Sequence, residues 1–191
     1  MDEYFTVIDK SKAFELKIKG SRFIAHVFHI ENKKQVQLKY QNICKEYHDA
    51  RHNCFAYRIS DEDFRYSDDG EPAGTAGKPI FQVLKSKDLY QTLIIVTRYF
   101  GGIKLGTGGL SRAYSDACKE ALSRVKIVTE VRYTATSIQI GYEQLKFIIH
   151  LISKYKGKIN RTDYGEKISL AIKIPRSVFS SFQKEINHII T

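Results

Sequence analysis

Apolar and polar residues alternate along Phe14-Glu15-Leu16-Lys17-Ile18-Lys19, and a second β-rich run covers residues 23–30. With Gly20-Ser21 between them, the two runs predict an antiparallel hairpin. The period then becomes helical: Val36, Tyr40, Ile43, Cys44 and Tyr47 fall on one face behind Asn32, whose side chain suits a helix cap. Residues 54–59 predict a strand. Residues 60–78 hold no apolar period and predict a long loop, and residues 79–88 place Ile80, Phe81, Val83 and Leu84 on a short helix. Residues 89–97 are apolar almost throughout, the pattern of a central strand covered on both faces. Leu110, Ala113, Tyr114, Ala117, Cys118, Ala121, Leu122 and Val125 form one continuous helical stripe, with Arg112, Asp116, Lys119, Glu120 and Arg124 off it.

The pattern restarts near Val128. Residues 133–142 alternate, Tyr142, Leu145, Ile148, Ile149 and Ile152 form a helical face, and residues 158–163 and 167–174 read as two strands turning near Tyr164-Gly165. Pro175 stops the second strand, and Ser177 starts a helix with Val178, Phe179, Phe182, Ile186, Ile189 and Ile190 on one face. This β-α-β-β-α order predicts a two-layer α+β sandwich of ferredoxin-like type. The whole chain is therefore expected to be α+β, with one domain over residues 1–128 and a second over 129–191.

Hydrophobic residues at 42% and charged residues at 27% fit a folded, soluble class, which agrees with the two cores just described. No apolar run approaches the ~18–20 residues of a membrane span, so no membrane partner is expected. The start, Met1-Asp2-Glu3-Tyr4, lacks a basic-then-apolar signal pattern. Cys44, Cys54 and Cys118 are odd in number and far apart, which fits reduced thiols in a cytoplasmic protein better than a disulfide framework or a zinc site. The net charge is +10, and residues 129–191 carry 10 basic against 5 acidic residues, about twice the positive charge per residue of the preceding segment. Such an excess attracts RNA, the ribosome or other anions, and equally serves solubility.

Three segments are candidates for chemistry. The first is Arg98-Tyr99-Phe100-Gly101-Gly102-Ile103-Lys104-Leu105-Gly106-Thr107-Gly108-Gly109-Leu110-Ser111-Arg112, a glycine loop between the apolar strand and the striped helix. No Gly-Lys-Ser/Thr follows, and the glycine spacing is not that of a dinucleotide loop. What remains is an anion nest at a helix start, with Arg98, Lys104, Gly106, Gly108, Gly109 and Arg112 as candidate anion- or nucleic-acid-binding residues. Tight turns and close helix–strand packing explain the glycines equally well. Arg98 with Tyr99-Phe100 suits base stacking or core packing.

The second segment is Asp68-Asp69-Gly70-Glu71, followed by Pro72-Ala73-Gly74-Thr75-Ala76-Gly77-Lys78-Pro79. Asp68, Asp69 and Glu71 could bind a hard cation or move protons, or could serve as a solvated turn or as partners for Arg98 and Arg112. The spacing lacks the alternating ligands of a calcium loop, and neither a metal nor a cofactor is expected. The third segment is His52-Asn53-Cys54, in which His52 and Cys54 share one face of a strand. A nucleophile–base pair and a buried thiol beside a hydrogen-bonded histidine both fit it. No catalytic residue is assigned.

In order and spacing, Ser21-Arg22-Phe23-Ile24-Ala25, His52-Asn53-Cys54 with Ala56-Tyr57-Arg58, the 68–79 loop and the 98–114 run together resemble the YigZ/IMPACT family over about residues 15–125. Phe55 stands where that family commonly has Trp, and Ser111 where an aliphatic residue is usual. The resemblance implies an N-terminal domain like domain 2 of a small-subunit ribosomal protein and domain IV of elongation factor G. It also implies a smaller C-terminal domain similar to domain V of that factor. Eukaryotic members regulate translation under amino-acid starvation by competing for an activator of a stress kinase, through an additional domain absent from this sequence. For two-domain bacterial members, RNA or ribosome binding and modulation of translation are implied, with no established catalytic residues. The rival expectation is an enzyme acting on a phosphate-containing substrate, with the glycine loop holding phosphate and the acidic loop assisting. The two differ in whether the acidic carboxylates and the glycine amides face one open cleft. Oligomeric state is not legible.

Overall fold

The computed structural model describes residues 2–8 and 13–190. The chain divides into two compact units, Phe5–Thr129 and Met1–Tyr4 with Glu130–Thr191. The strands are β1 (Glu3–Val7), β2 (Phe14–Ile18), β3 (Ser21–His29), β4 (His52–Arg58), β5 (Phe64–Ser67), β6 (Thr92–Tyr99), β7 (Ile127–Val131), β8 (Tyr133–Ile140), β9 (Lys158–Tyr164) and β10 (Ile168–Pro175). The helices are α1 (Lys33–Glu46), α2 (Gly77–Ser86), α3 (Gly106–Leu122), α4 (Leu145–Lys154) and α5 (Phe179–Ile190). No helix among the described residues is long and apolar enough to cross a membrane.

The first unit is built on a five-stranded sheet of order β2-β3-β6-β4-β5, in which every neighbouring pair is antiparallel. β6 lies at its centre, and the unbroken apolar run there has a direct cause. Leu93 and Ile95 join Phe28, Ile30, Tyr57 and the α1 residues Val36 and Ile43 on one face. Ile94 and Val96 face α2 and α3 with Ile80, Leu84, Leu110, Ala113, Tyr114 and Ala117. Both faces are covered by helices, so the strand reads like one from a parallel sheet although its neighbours are antiparallel. Asn32 caps α1 as expected, its side chain accepting the Gln35 N–H at 3.1 Å.

Residues 60–78 are not one long loop, because β5 lies inside them and pairs with β4 at the sheet edge. An edge strand with mostly exposed side chains carries no buried face to write an apolar period. Phe64 and Tyr66 are held instead by rings of α2, with Phe81 centroids at 4.8 and 5.7 Å. The helix predicted from residue 79 begins earlier, at Gly77, and α3 begins at Gly106, before its apolar stripe.

In the second unit β10 pairs antiparallel with both β8 and β9, giving the order β8-β10-β9. Ile140, Ile168, Leu170, Ile172 and Ile174 form one face of this sheet, covered by Ile148, Leu151 and Ile152 of α4 and Phe182 and Ile186 of α5. The opposite face holds Ala135, Ser137, Gln139, Lys158, Arg161 and Lys173, all exposed.

The turn between β2 and β3 abuts the segment after β6. The Gly101 N–H donates to Ser21 Oγ at 3.1 Å, and a Cβ on Gly101 would overlap the backbone of Gly20 and Ser21. Gly101→Ala is therefore expected to cost about 1–3 kcal/mol in urea unfolding, since neither backbone can yield without losing sheet geometry. Wild-type stability in that variant would show that the two segments do not meet this closely.

Candidate functional site

The C-terminal end of β6 delivers Arg98 to the middle of the first unit's sheet, where it lies opposite His52 on β4 and Phe23 on β3. The chain then turns away at Gly101-Gly102 and reaches Gly106, whose φ of +70° lies in the left-handed region that glycine favours. α3 starts there with no side-chain cap, so its first-turn amides have no intrahelical partners. The Gly108 position is different, because a Cβ there would meet only the far end of Arg112, at 3.8 Å. Packing therefore does not explain that glycine.

The acidic loop faces inward in large part. Asp68 accepts three backbone N–H groups, from Gly74 at 2.8 Å, Ala76 at 3.0 Å and Gly77 at 2.8 Å. It thereby caps α2 from eight or nine residues upstream, and this explains the earlier helix start. Asp69 Oδ2 accepts the Asn53 N–H at 2.6 Å. The Asp69 carbonyl lies 2.7 Å from His52 Nδ1, and a carbonyl can only accept, so Nδ1 carries the proton in this contact. No group of three or more His, Cys, Asp or Glu among the described residues is arranged to hold a metal ion.

Glu71 is buried and paired. Its Oε1 accepts from Arg98 Nη1 at 2.5 Å and from the Tyr114 hydroxyl at 2.9 Å. The side chains of Arg98 and Glu71 are only 7% and 3% exposed, so each charge depends on the other. The Arg98 guanidinium lies 5.4 Å from the Phe23 ring centroid and 5.6 Å from that of Phe100, and its Nε has no hydrogen-bond partner among the described residues. Cys54 Sγ sits 2.9 Å from the Asp68 carbonyl and 3.3 Å from the Tyr114 hydroxyl. Burial pushes the Cys54 thiol up to about 12 and raises Tyr114 as well. His52 and Cys54 take different partners, and the thiol remains protonated at neutral pH, which removes the nucleophile–base arrangement.

His52, Glu71 and Arg98 border a cleft of about 520 Å³. Its polar walls are Arg51, His52, Glu71, Arg98, Lys104 and the start of α3 at Gly106-Thr107, and its apolar walls are Pro72, Phe100, Leu105 and Leu110. Of the sequence candidates, Arg98, Lys104, Gly106 and Glu71 meet here. Gly108, Gly109 and Arg112 follow along α3 off the cleft lining, and Asp68 and Asp69 are engaged behind it. Arg51 and Thr107 were not singled out by the sequence. Arg51 reaches the cleft only because β4 pairs with β6, a register that residue spacing does not reveal.

Arg98→Ala or Glu71→Ala leaves the partner's charge buried and unpaired. Each is expected to lower stability by about 3–5 kcal/mol in denaturant unfolding. A loss below about 1 kcal/mol would mean that the pair is solvated, as surface pairs are.

The order of elements and the geometry of this cleft can be set beside known proteins. The Impact N-terminal domain model matches residues 19–122. An IMPACT family member of Haemophilus influenzae is 36% identical over 190 residues, covering 97% of this chain and 92% of that protein. IMPACT family member YigZ of Escherichia coli is 34% identical over 174 residues, covering 89% and 85%. The crystal structure of a hypothetical protein, 32% identical, covers 99% of this chain and 93% of its own with a TM-score of 0.68. The matched domain spans the cleft with both its glycine and acidic loops, and the relatives align over nearly their full lengths, so this chain belongs to the IMPACT family.

Proposed function

We propose that this protein is a cytoplasmic modulator of translation that binds RNA or the ribosome, and that the cleft at the start of α3 is one of its phosphate contacts. Family membership supports the translational setting, because the eukaryotic members it resembles regulate translation. The observation that carries the site is the uncapped, glycine-rich start of α3, which opens beside Arg51 and Lys104. Free amide donors at a helix N-terminus bind anions, and the surrounding cations raise the local anion concentration. The Glu71 carboxylate does not oppose this, since Arg98 already neutralises it.

The enzymatic alternative needs carboxylates free to bind a metal or move a proton. Asp68 and Asp69 are instead backbone acceptors, and Glu71 is locked to Arg98 and Tyr114. These bonds favour the binding reading. In finer detail, the proposal includes the likeness of the two domains to elongation factor G domains IV and V, and a domain boundary near residue 129.

Cosedimentation with ribosomes and filter binding to RNA test the reading. Binding is expected at low salt and is expected to fall steeply as salt rises, with Lys104→Ala and Arg51→Ala each reducing the salt slope by about 0.7–0.9. Absence of association with either RNA or ribosomes at low salt would overturn it.

A further inference from the structure

The second unit carries a feature that the cleft does not explain. Its three-stranded sheet is covered by helices on one side only, and the register assigns each residue to a face. On the open side Ala135, Lys173 and Lys158 lie in one row across β8, β10 and β9. Ser137, Ala171 and Arg161 form the next row, and Gln139, Ser169 and Asp163 the third. The middle of this face is thus a floor of alanines and serines, small enough for a flat group to lie close to the backbone.

The charge on the floor is unbalanced. Arg161 is bonded to Asp163, at 2.9 Å, so that corner is neutral. Lys158 and Lys173 are direct cross-strand partners, and neither forms an ion pair among the described residues. Like charges placed directly opposite destabilise a sheet, and a polar residue at either position would relieve the cost. An anion lying between the two ammonium groups reverses the sign of that interaction. Tyr133, opposite Pro175 at the end of the same face, lies beside this row, with Lys158 Nζ over its ring at 5.1 Å from the centroid.

We propose that this open sheet face binds a single strand of RNA. A phosphate of the chain sits between Lys158 and Lys173, a base stacks on Tyr133, and Ser137, Gln139 and Ser169 offer hydrogen bonds along the floor. The juxtaposition of paired lysines, an aromatic ring and a flat small-residue floor matches a polyanion that carries planar groups. An acidic polypeptide matches only the lysines. A duplex hides the base faces that Tyr133 would meet. The inference rests on the RNA arm of the proposed function but uses residues separate from the cleft.

The test is fluorescence anisotropy of the full-length protein with a short labelled oligouridylate, measured across a salt series. The probe is expected to bind the wild type, and Lys158→Gln with Lys173→Gln to bind about tenfold more weakly, with a salt slope lower by about 1.4. Tyr133→Ala is expected to weaken binding by roughly fivefold or more through lost stacking. Thermal unfolding separates folding from binding, because the double glutamine variant should melt no lower than the wild type. Wild-type affinity and slope in the double variant, with the probe still bound, would overturn the sheet-face proposal alone. No binding of the probe by the wild type would overturn the RNA reading with it. Displacement of the probe by polyglutamate as readily as by unlabelled oligouridylate would show that the face recognises charge only, and would also overturn the proposal.

Discussion

The buried ion pair between Arg98 and Glu71 is the interaction on which the first unit's loops depend. It ties the end of the central strand to the acidic loop, and through the Tyr114 hydroxyl it ties both to α3. Two charges in so dry a place are each expensive to desolvate, and they are tolerated because the geometry is close and a third donor is present. With that pair formed, the acidic loop has one position. Asp68 then meets the start of α2, Asp69 meets the β4 backbone, and the cleft acquires its floor.

This arrangement separates two loops that look equally chemical in sequence. Carboxylates in the acidic loop face the protein and satisfy donors that would otherwise be buried without partners. The glycine loop does the opposite and leaves donors unpaired at a helix start beside open space. One loop completes the fold, and the other leaves amide donors open at the cleft. The second unit carries its own excess of positive charge, 10 basic against 5 acidic residues over 129–191.

Much of the architecture was legible from periodicity. The hairpin across Gly20, the capped α1, the central β6 and the β-α-β-β-α order of the second unit all follow patterns that burial writes directly into the sequence. β5 was not legible, because an edge strand whose side chains face water leaves no alternation to read. The early start of α2 was hidden for a related reason: its cap, Asp68, lies eight residues before Ala76 in sequence rather than beside it. For the site, the pairing of an arginine with the acidic loop was an open alternative that the structure resolves onto Glu71. The contribution of Arg51 depends on strand register, and a one-residue slip would turn its neighbours to the other face.

The central claim is that the glycine-rich start of α3 is an anion contact rather than only a packing device. Amide NMR spectra of the isotopically labelled protein, titrated with a short single-stranded RNA at low salt, test it most directly. The Gly106, Thr107 and Gly108 amide signals are expected to shift as RNA is added and to return as salt is raised. Unshifted signals from all three residues in a sample where RNA is bound would contradict it.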